Sequence, residues 1–143
     1  MQNGLGVISG LGVTEDKTLS QNLKRAEIEI VPGSKCKKEL RRISTHEKIF
    51  SGAHMLCGLG KRRRGSRVDS CQGKQDNLKL WLEISLNSSH LGDSGGPLVV
   101  KINNAYTVVG IVSWGVGPSG RSCGGPGAYS KVSKYLYFIN RIN

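Results

Sequence analysis

The chain has 143 residues, a formal net charge of +11, 20 glycines and four cysteines. This length holds one domain with a real core and is short for two, and glycine at about twice its usual share disfavours a mainly helical fold. No stretch is long and apolar enough to span a bilayer. Cys36, Cys57, Cys71 and Cys123 lack close C-x-x-C pairing and nearby histidines, so no zinc site is expected, and no other metal or cofactor.

The first residues, MQNGLGVISG, have no basic start followed by an apolar run, so they are not a signal peptide. Four widely spaced cysteines suit two disulfides and an oxidising compartment. Together these features predict a secreted protein whose natural N-terminus lies upstream of Met1. Val7 to Gly10 reads as a short strand entering a glycine-rich turn. Arg25 to Val31, RAEIEIV, alternates polar and apolar residues, which predicts a half-buried strand. Pro32-Gly33-Ser34 breaks it, and Ser34 is placed to cap a helix over Lys35 to Arg42. Met55 to Cys57 is a short buried strand. Leu98 to Ile102 and Thr107 to Trp114 are apolar β-rich runs joined by Asn103-Asn104, a hairpin signal. Gly115 to Gly127 carries six Gly and two Pro and reads as a loop. Tyr129 to Val132 is the last strand. In Lys134 to Ile142, Leu136, Ile139 and Ile142 recur three apart, the pattern of an amphipathic closing helix. Short strands, turn signals and one terminal helix predict an all-β antiparallel barrel or sandwich.

The positive charge is clustered. Lys35, Lys37, Lys38, Arg41 and Arg42 fall on the predicted helix, and Lys61 to Arg64 with Arg67 form a second, loop-like cluster. Such clusters attract heparin-like polyanions or nucleic acid, or form an ordinary solvated face. No aromatic residue interleaves with them, which argues against single-stranded nucleic acid. Any heparin binding is expected to depend on Lys61 to Arg64.

Gly92-Asp93-Ser94-Gly95-Gly96-Pro97 sets a serine among glycines on a tight turn before an apolar strand. Glycines let backbone amides face an incoming oxygen with no side chain in the way, as an oxyanion hole requires; an ordinary Gly-Pro turn has the same composition. Other segments narrow the choice. The hexapeptide resembles the active-site serine region of the chymotrypsin/trypsin family of serine proteases. Val7-Ile8-Ser9-Gly10-Leu11-Gly12 resembles that family's S-G-W-G segment, with Leu11 in place of the usual Trp. Met55-Leu56-Cys57 is similar to its M-x-C, and Val68-Asp69-Ser70-Cys71-Gln72-Gly73 to its D-S-C-Q-G. Ile111-Val112-Ser113-Trp114-Gly115 is similar to I-V-S-W-G, and Pro126 to Val132 to P-G-V-Y-T-K-V. The motifs occur in the family's order across nearly the whole chain.

The resemblance implies an antiparallel six-stranded barrel, the second of the family's two, with a C-terminal helix. It implies Ser94 as nucleophile and the backbone N–H groups of Gly92 and Ser94 as the oxyanion hole. Asp69 falls at the base of the primary specificity pocket, where it pairs with Arg or Lys of a protein or peptide substrate. Gly115 and Gly127 keep that pocket open, and Ser113, Trp114 and Gly115 form the strand that pairs with the substrate backbone. Asp93 is the activation carboxylate, which pairs with a newly made N-terminal amine. The implied disulfides are Cys36–Cys57 and Cys71–Cys123. Protein protease inhibitors are implied partners.

The family's first barrel, which bears the catalytic His and Asp, has no counterpart in these residues. His54 falls just before M-x-C and reads as a loop residue, His46 lies in a connector, and His90 lies between the two halves of the serine motif. The chain is therefore expected to be inactive alone, with Asp93 left without a partner and the serine turn in a zymogen-like state. Residues 74–91 separate Gly73 from Gly92 and interrupt D-S-C-Q-G-D-S-G-G-P. They read as a retained intron or a true surface loop, and Asn87-Ser88-Ser89 within them is a glycosylation sequon. The leading expectation is part of a secreted trypsin-like endopeptidase. The rivals are a non-catalytic protease homologue that binds a partner, and a basic polyanion-binding module.

Overall fold

A computed structural model describes residues 4–12, 20–43, 45–60, 62–63, 66–67, 93–117 and 125–142. Strand β1 (Gly4–Gly10) is followed by β2 (Lys24–Val31), helix α1 (Gly33–Ile43), a 3-10 turn (His46–Lys48) and β3 (Met55–Gly60). Two short strands, β4 (Arg62–Arg63) and β5 (Ser66–Arg67), pair with each other, so Arg62, Arg63 and Arg67 of the second basic cluster lie on a small ladder where a loop was expected. Then come β6 (Pro97–Ile102), β7 (Ala105–Gly115), β8 (Pro126–Lys131), a 3-10 turn (Val132–Lys134) and α2 (Leu136–Asn140).

The six long strands close into an antiparallel barrel in the order β1-β2-β3-β8-β7-β6. The sequence predicts the alternation of β2, in which Ile28 and Ile30 are buried while Glu27 and Glu29 face out. The β6–β7 hairpin turns at Asn103 and Asn104, with φ of 47° and 64°. These are the positive angles that a two-residue turn matched to strand twist requires and that asparagine tolerates.

Inside the barrel, Ile8, Ile28, Leu98, Val112 and Tyr129 share one core cluster. Tyr129 on β8 is 1% exposed. Glycines on three strands make room for it. A Cβ on Gly58 would stand 2.9 Å from the Tyr129 ring, one on Gly110 3.0 Å from its Cβ, and one on Gly127 3.0 Å from its hydroxyl. Part of the glycine excess is therefore spent on housing one aromatic ring.

A second cluster, with Cys36, Leu40, Phe50 and Leu59, lies between the barrel and α1. Cys36 on α1 is bridged to Cys57 on β3, 21 residues away, with both fully buried. Cross-linking a loop of that length removes denatured-state entropy equivalent to about 3 kcal/mol. Replacing both cysteines with serine is expected to lower unfolding free energy by about that amount in urea titrations. An unchanged midpoint would mean that α1 docks through packing alone.

Two local expectations need correction. Ser34 does not cap α1. The helix begins at Gly33, two residues before the expected Lys35, and Pro32 O accepts the Cys36 N–H at 3.0 Å, which puts Pro32 at the cap and Ser34 inside the first turn. The closing helix is five residues long and buries no residue; Tyr137 and Phe138 are 76% and 64% exposed. Its apolar stripe exists in the sequence, but no described residue covers it. No helix among the described residues is long and apolar enough to cross a membrane.

Candidate functional site

The serine segment forms a tight turn. Gly96 donates its N–H to Asp93 O at 2.9 Å, and Gly95 has φ of +83°. That is the pattern of a type II turn, with Ser94 at its first corner and a glycine where positive φ is needed. Ser94 is exposed. Two bonds fasten the turn to β7: Gly95 N–H to Val112 O at 3.0 Å, and Val112 N–H to Gly96 O at 2.9 Å. A mobile loop would not hold a reactive hydroxyl in register with its surroundings, whereas this one is tied to the sheet by the two residues that follow its corner.

Asp93 is half-buried beneath the turn, and its Oδ1 accepts the Gly12 N–H at 2.9 Å. The carboxylate occupies a cradle at the end of β1. A Cβ on Gly12 would come within 2.7 Å of both carboxylate oxygens, and one on Gly10 would overlap Oδ1. The expectation that Asp93 lacks a partner is thus corrected. The glycines of Ser9-Gly10-Leu11-Gly12 supply a backbone donor and the space to reach it. Sequence reasoning registered this segment as a family motif and overlooked its contact with Asp93.

Beyond the turn, Ser113, Trp114 and Gly115 end β7. The last β6–β7 pair is Pro97 with Ile111, and no described strand pairs with Ser113 or Trp114 on that side. The opposite side pairs with β8, with Trp114 facing Ala128 and Gly115 facing Gly127. The register shifts between Val112 and Trp114, so Ser113 is an extra, bulged residue, and it is exposed. Bulges re-aim a strand locally, and this one falls beside the serine turn. The two glycines lie directly opposite each other across the β7–β8 ladder.

Trp114 has aromatic neighbours that sequence reasoning left out. The His46 ring lies 5.7 Å from it, tilted by 41°, and Phe50 meets it edge-on at 6.5 Å. His46 opens the 3-10 turn after α1 and Phe50 follows it, and nothing in their spacing signals a contact with β7. His54 lies elsewhere. Its Nδ1 is 3.2 Å from Ser51 Oγ in the turn before β3, and β3 stands opposite β6 in the ring. Asp69, Gly92, His90, residues 74–91 and the Cys71–Cys123 pairing lie outside the described residues. No group of three or more His, Cys, Asp or Glu among the described residues is placed to hold a metal ion.

An antiparallel six-stranded barrel that presents a serine on a glycine turn, next to a strand edge that no described strand covers, is the architecture of the trypsin-like serine proteases. Residues 82–139 match the family model described as Trypsin, and the chain carries a trypsin-like serine protease domain. Among similar proteins are the tissue-type plasminogen activators of Mus musculus, 35% identical over 138 residues, and of Bos taurus, 33% identical over 140. That of Homo sapiens is 35% identical over 139 residues. These alignments cover 92–93% of this chain but 20% of each relative, so the chain spans about one fifth of the length of the curated relatives it matches.

Proposed function

We propose that this chain supplies the nucleophile-bearing barrel of an extracellular trypsin-like endopeptidase that cleaves proteins after Arg or Lys. The observation that carries this reading is the exposed Ser94 corner, held to β7 through Gly95 and Gly96 and to the end of β1 through Asp93, next to the edge of Ser113 and Trp114 that no described strand covers. An extended peptide adding to that edge would run past Ser94, because backbone pairing fixes its register. Ser94 Oγ would attack the scissile carbonyl carbon, with Gly92 and Ser94 N–H groups stabilising the oxyanion, and Gly115 and Gly127 leaving room for a long side chain aimed at Asp69. The disulfide beneath α1 supports an oxidising, extracellular setting. The matched relatives are named as plasminogen activators, which accords with protein substrates.

The proton of Ser94 must pass to a base. By the family resemblance we assign the base to the histidine of a first barrel that these residues do not match, and His54, across the barrel from the serine turn, is no substitute for it. Sequencing the gene upstream of Met1 tests this reading first. An exon bearing a histidine motif in a barrel-like context is expected, and a stop codon or unrelated sequence would overturn it. The product that includes such an exon should react with a fluorophosphonate probe at Ser94, and Ser94→Ala should abolish labelling. Labelling that persists in the variant would refute Ser94 as the nucleophile.

A further inference from the structure

Helix α1 distributes its charge in a way that the stability of the barrel does not explain. Cys36 and Leu40 are fully buried and define its inward face. At 100° per residue, Lys35, Lys37, Lys38, Arg41 and Arg42 all fall within roughly 160° of arc centred opposite that face. All five are exposed, and Ser34 is the remaining residue on that arc. The helix has no acidic residue in its first turn. Two acids neutralise two of the bases: Glu29 pairs with Lys35 at 3.1 Å and Glu39 with Arg42 at 3.5 Å. Lys37, Lys38 and Arg41 form no ion pair within the described residues.

This pattern works against the helix. Lysines near a helix N-terminus oppose the macrodipole, while Arg41 and Arg42 in the last turn favour it, and like charges at (i, i+3) and (i, i+4), here Lys38 with Arg41 and Lys37 with Arg41, each destabilise the helix by about 0.2–0.5 kcal/mol. The buried Cys36–Cys57 bridge holds the helix to the barrel despite that repulsion. The result is a rigid basic ridge, already ordered, on a chain of net charge +11. A ridge of this kind gains most from a partner that is itself a line of anions, because bound counterions are then released.

We propose that the outer face of α1, centred on Lys37, Lys38 and Arg41, binds a sulfated polysaccharide. The fixed disulfide directly beneath the ridge places it in an oxidising compartment, where sulfated chains rather than nucleic acids are the abundant linear polyanions. The outer arc has no aromatic residue on which a base could stack. It also has no apolar residue to enter a lipid surface, as an interfacial membrane helix would need. The assignment moves the expected polyanion surface from Lys61 to Arg64 onto α1, and it does not depend on whether Ser94 is catalytic.

The test uses the 143-residue chain and a heparin oligosaccharide, titrated at several salt concentrations. Lys37→Gln/Lys38→Gln/Arg41→Gln is expected to weaken binding at least tenfold near 0.15 M salt. It should also flatten the slope of log Kd against log salt by about 2 to 3, by analogy with about 0.9 per neutralised phosphate on DNA. Loss of binding through unfolding is separable, since removing like charges should leave the thermal midpoint unchanged or raised. Lys37→Arg/Lys38→Arg should retain binding. Arg62→Gln/Arg63→Gln should have the smaller effect, and the opposite ranking would overturn the assignment to α1. Tighter binding to duplex DNA, to anionic vesicles or to a polyglutamate peptide than to the oligosaccharide would overturn the assignment of ligand class.

Discussion

The 143-residue chain, refolded under oxidising conditions, is expected to hydrolyse neither an Arg ester nor an Arg amide faster than its Ser94→Ala variant. Nucleophilic attack needs a base within about 3 Å of the serine hydroxyl. By the family resemblance that base sits on a first barrel that these residues do not match, and His54 is bonded to Ser51 ahead of β3. In the ring β1-β2-β3-β8-β7-β6, β3 and the β6 strand that follows Ser94 are three steps apart in either direction. Neighbouring strands are spaced by about 4.8 Å, so His54 lies far outside hydrogen-bond reach of Ser94. In a serine protease of unrelated fold, loss of the nucleophile or the base alone lowers turnover on the order of a millionfold. A held turn does not compensate for that loss, because fixing Ser94 in space leaves its proton in place. Initial-rate assays with both substrates would check this. Hydrolysis well above background that disappears in Ser94→Ala would mean that a histidine of this chain, or a partner chain, serves as the base.

Asp93 adds a second expectation about the same turn. The resemblance implies a carboxylate that pairs with an amine, and in the structure it already accepts the Gly12 N–H in a cradle between Gly10 and Gly12. The difference has a simple origin. Side-chain partners can be inferred from sequence when both carry charge. A backbone amide 81 positions away leaves no mark except glycines, and glycines have many causes. The same holds for Tyr129, whose packing requires space at Gly58, Gly110 and Gly127 on three different strands. Strand alternation in RAEIEIV and the Asn103-Asn104 turn were legible because their causes are local, a period of two and a tolerance for positive φ. The Ser113 bulge and the His46–Trp114 contact were not, because each depends on the register between elements distant in sequence. The closing helix shows the converse. Its stripe of Leu136, Ile139 and Ile142 is plain in the sequence, yet those residues are 48%, 40% and 68% exposed. Periodicity states which face is apolar and is silent on whether anything covers it.

A longer product that joins this barrel to its histidine-bearing partner is expected to cleave after Arg at least a hundredfold faster than after Phe, and Asp69→Ser is expected to remove that preference. The argument rests on one charge. By resemblance, Asp69 stands at the base of a pocket whose entrance is flanked by Gly115 and Gly127, which face each other across the β7–β8 ladder. A substrate side chain that fills such a pocket excludes water from the carboxylate. A buried charge then needs its counter-ion, and removing one partner of a buried pair costs about 3–5 kcal/mol. At 1.36 kcal/mol per decade, that corresponds to a loss of roughly 10²–10⁴ in kcat/KM for Arg substrates. Phe substrates should lose nothing in the variant and should gain, because the unpaired charge that opposed them has gone. The measurement is kcat/KM for matched Arg and Phe peptides on the parent and on Asp69→Ser, with Asp69→Glu as the charge-conserving control. The control should keep the sign of the preference while lowering its size, since the longer acid displaces the cation. Equal cleavage after Phe and Arg by the parent would show that Asp69 does not stand at the base of the pocket.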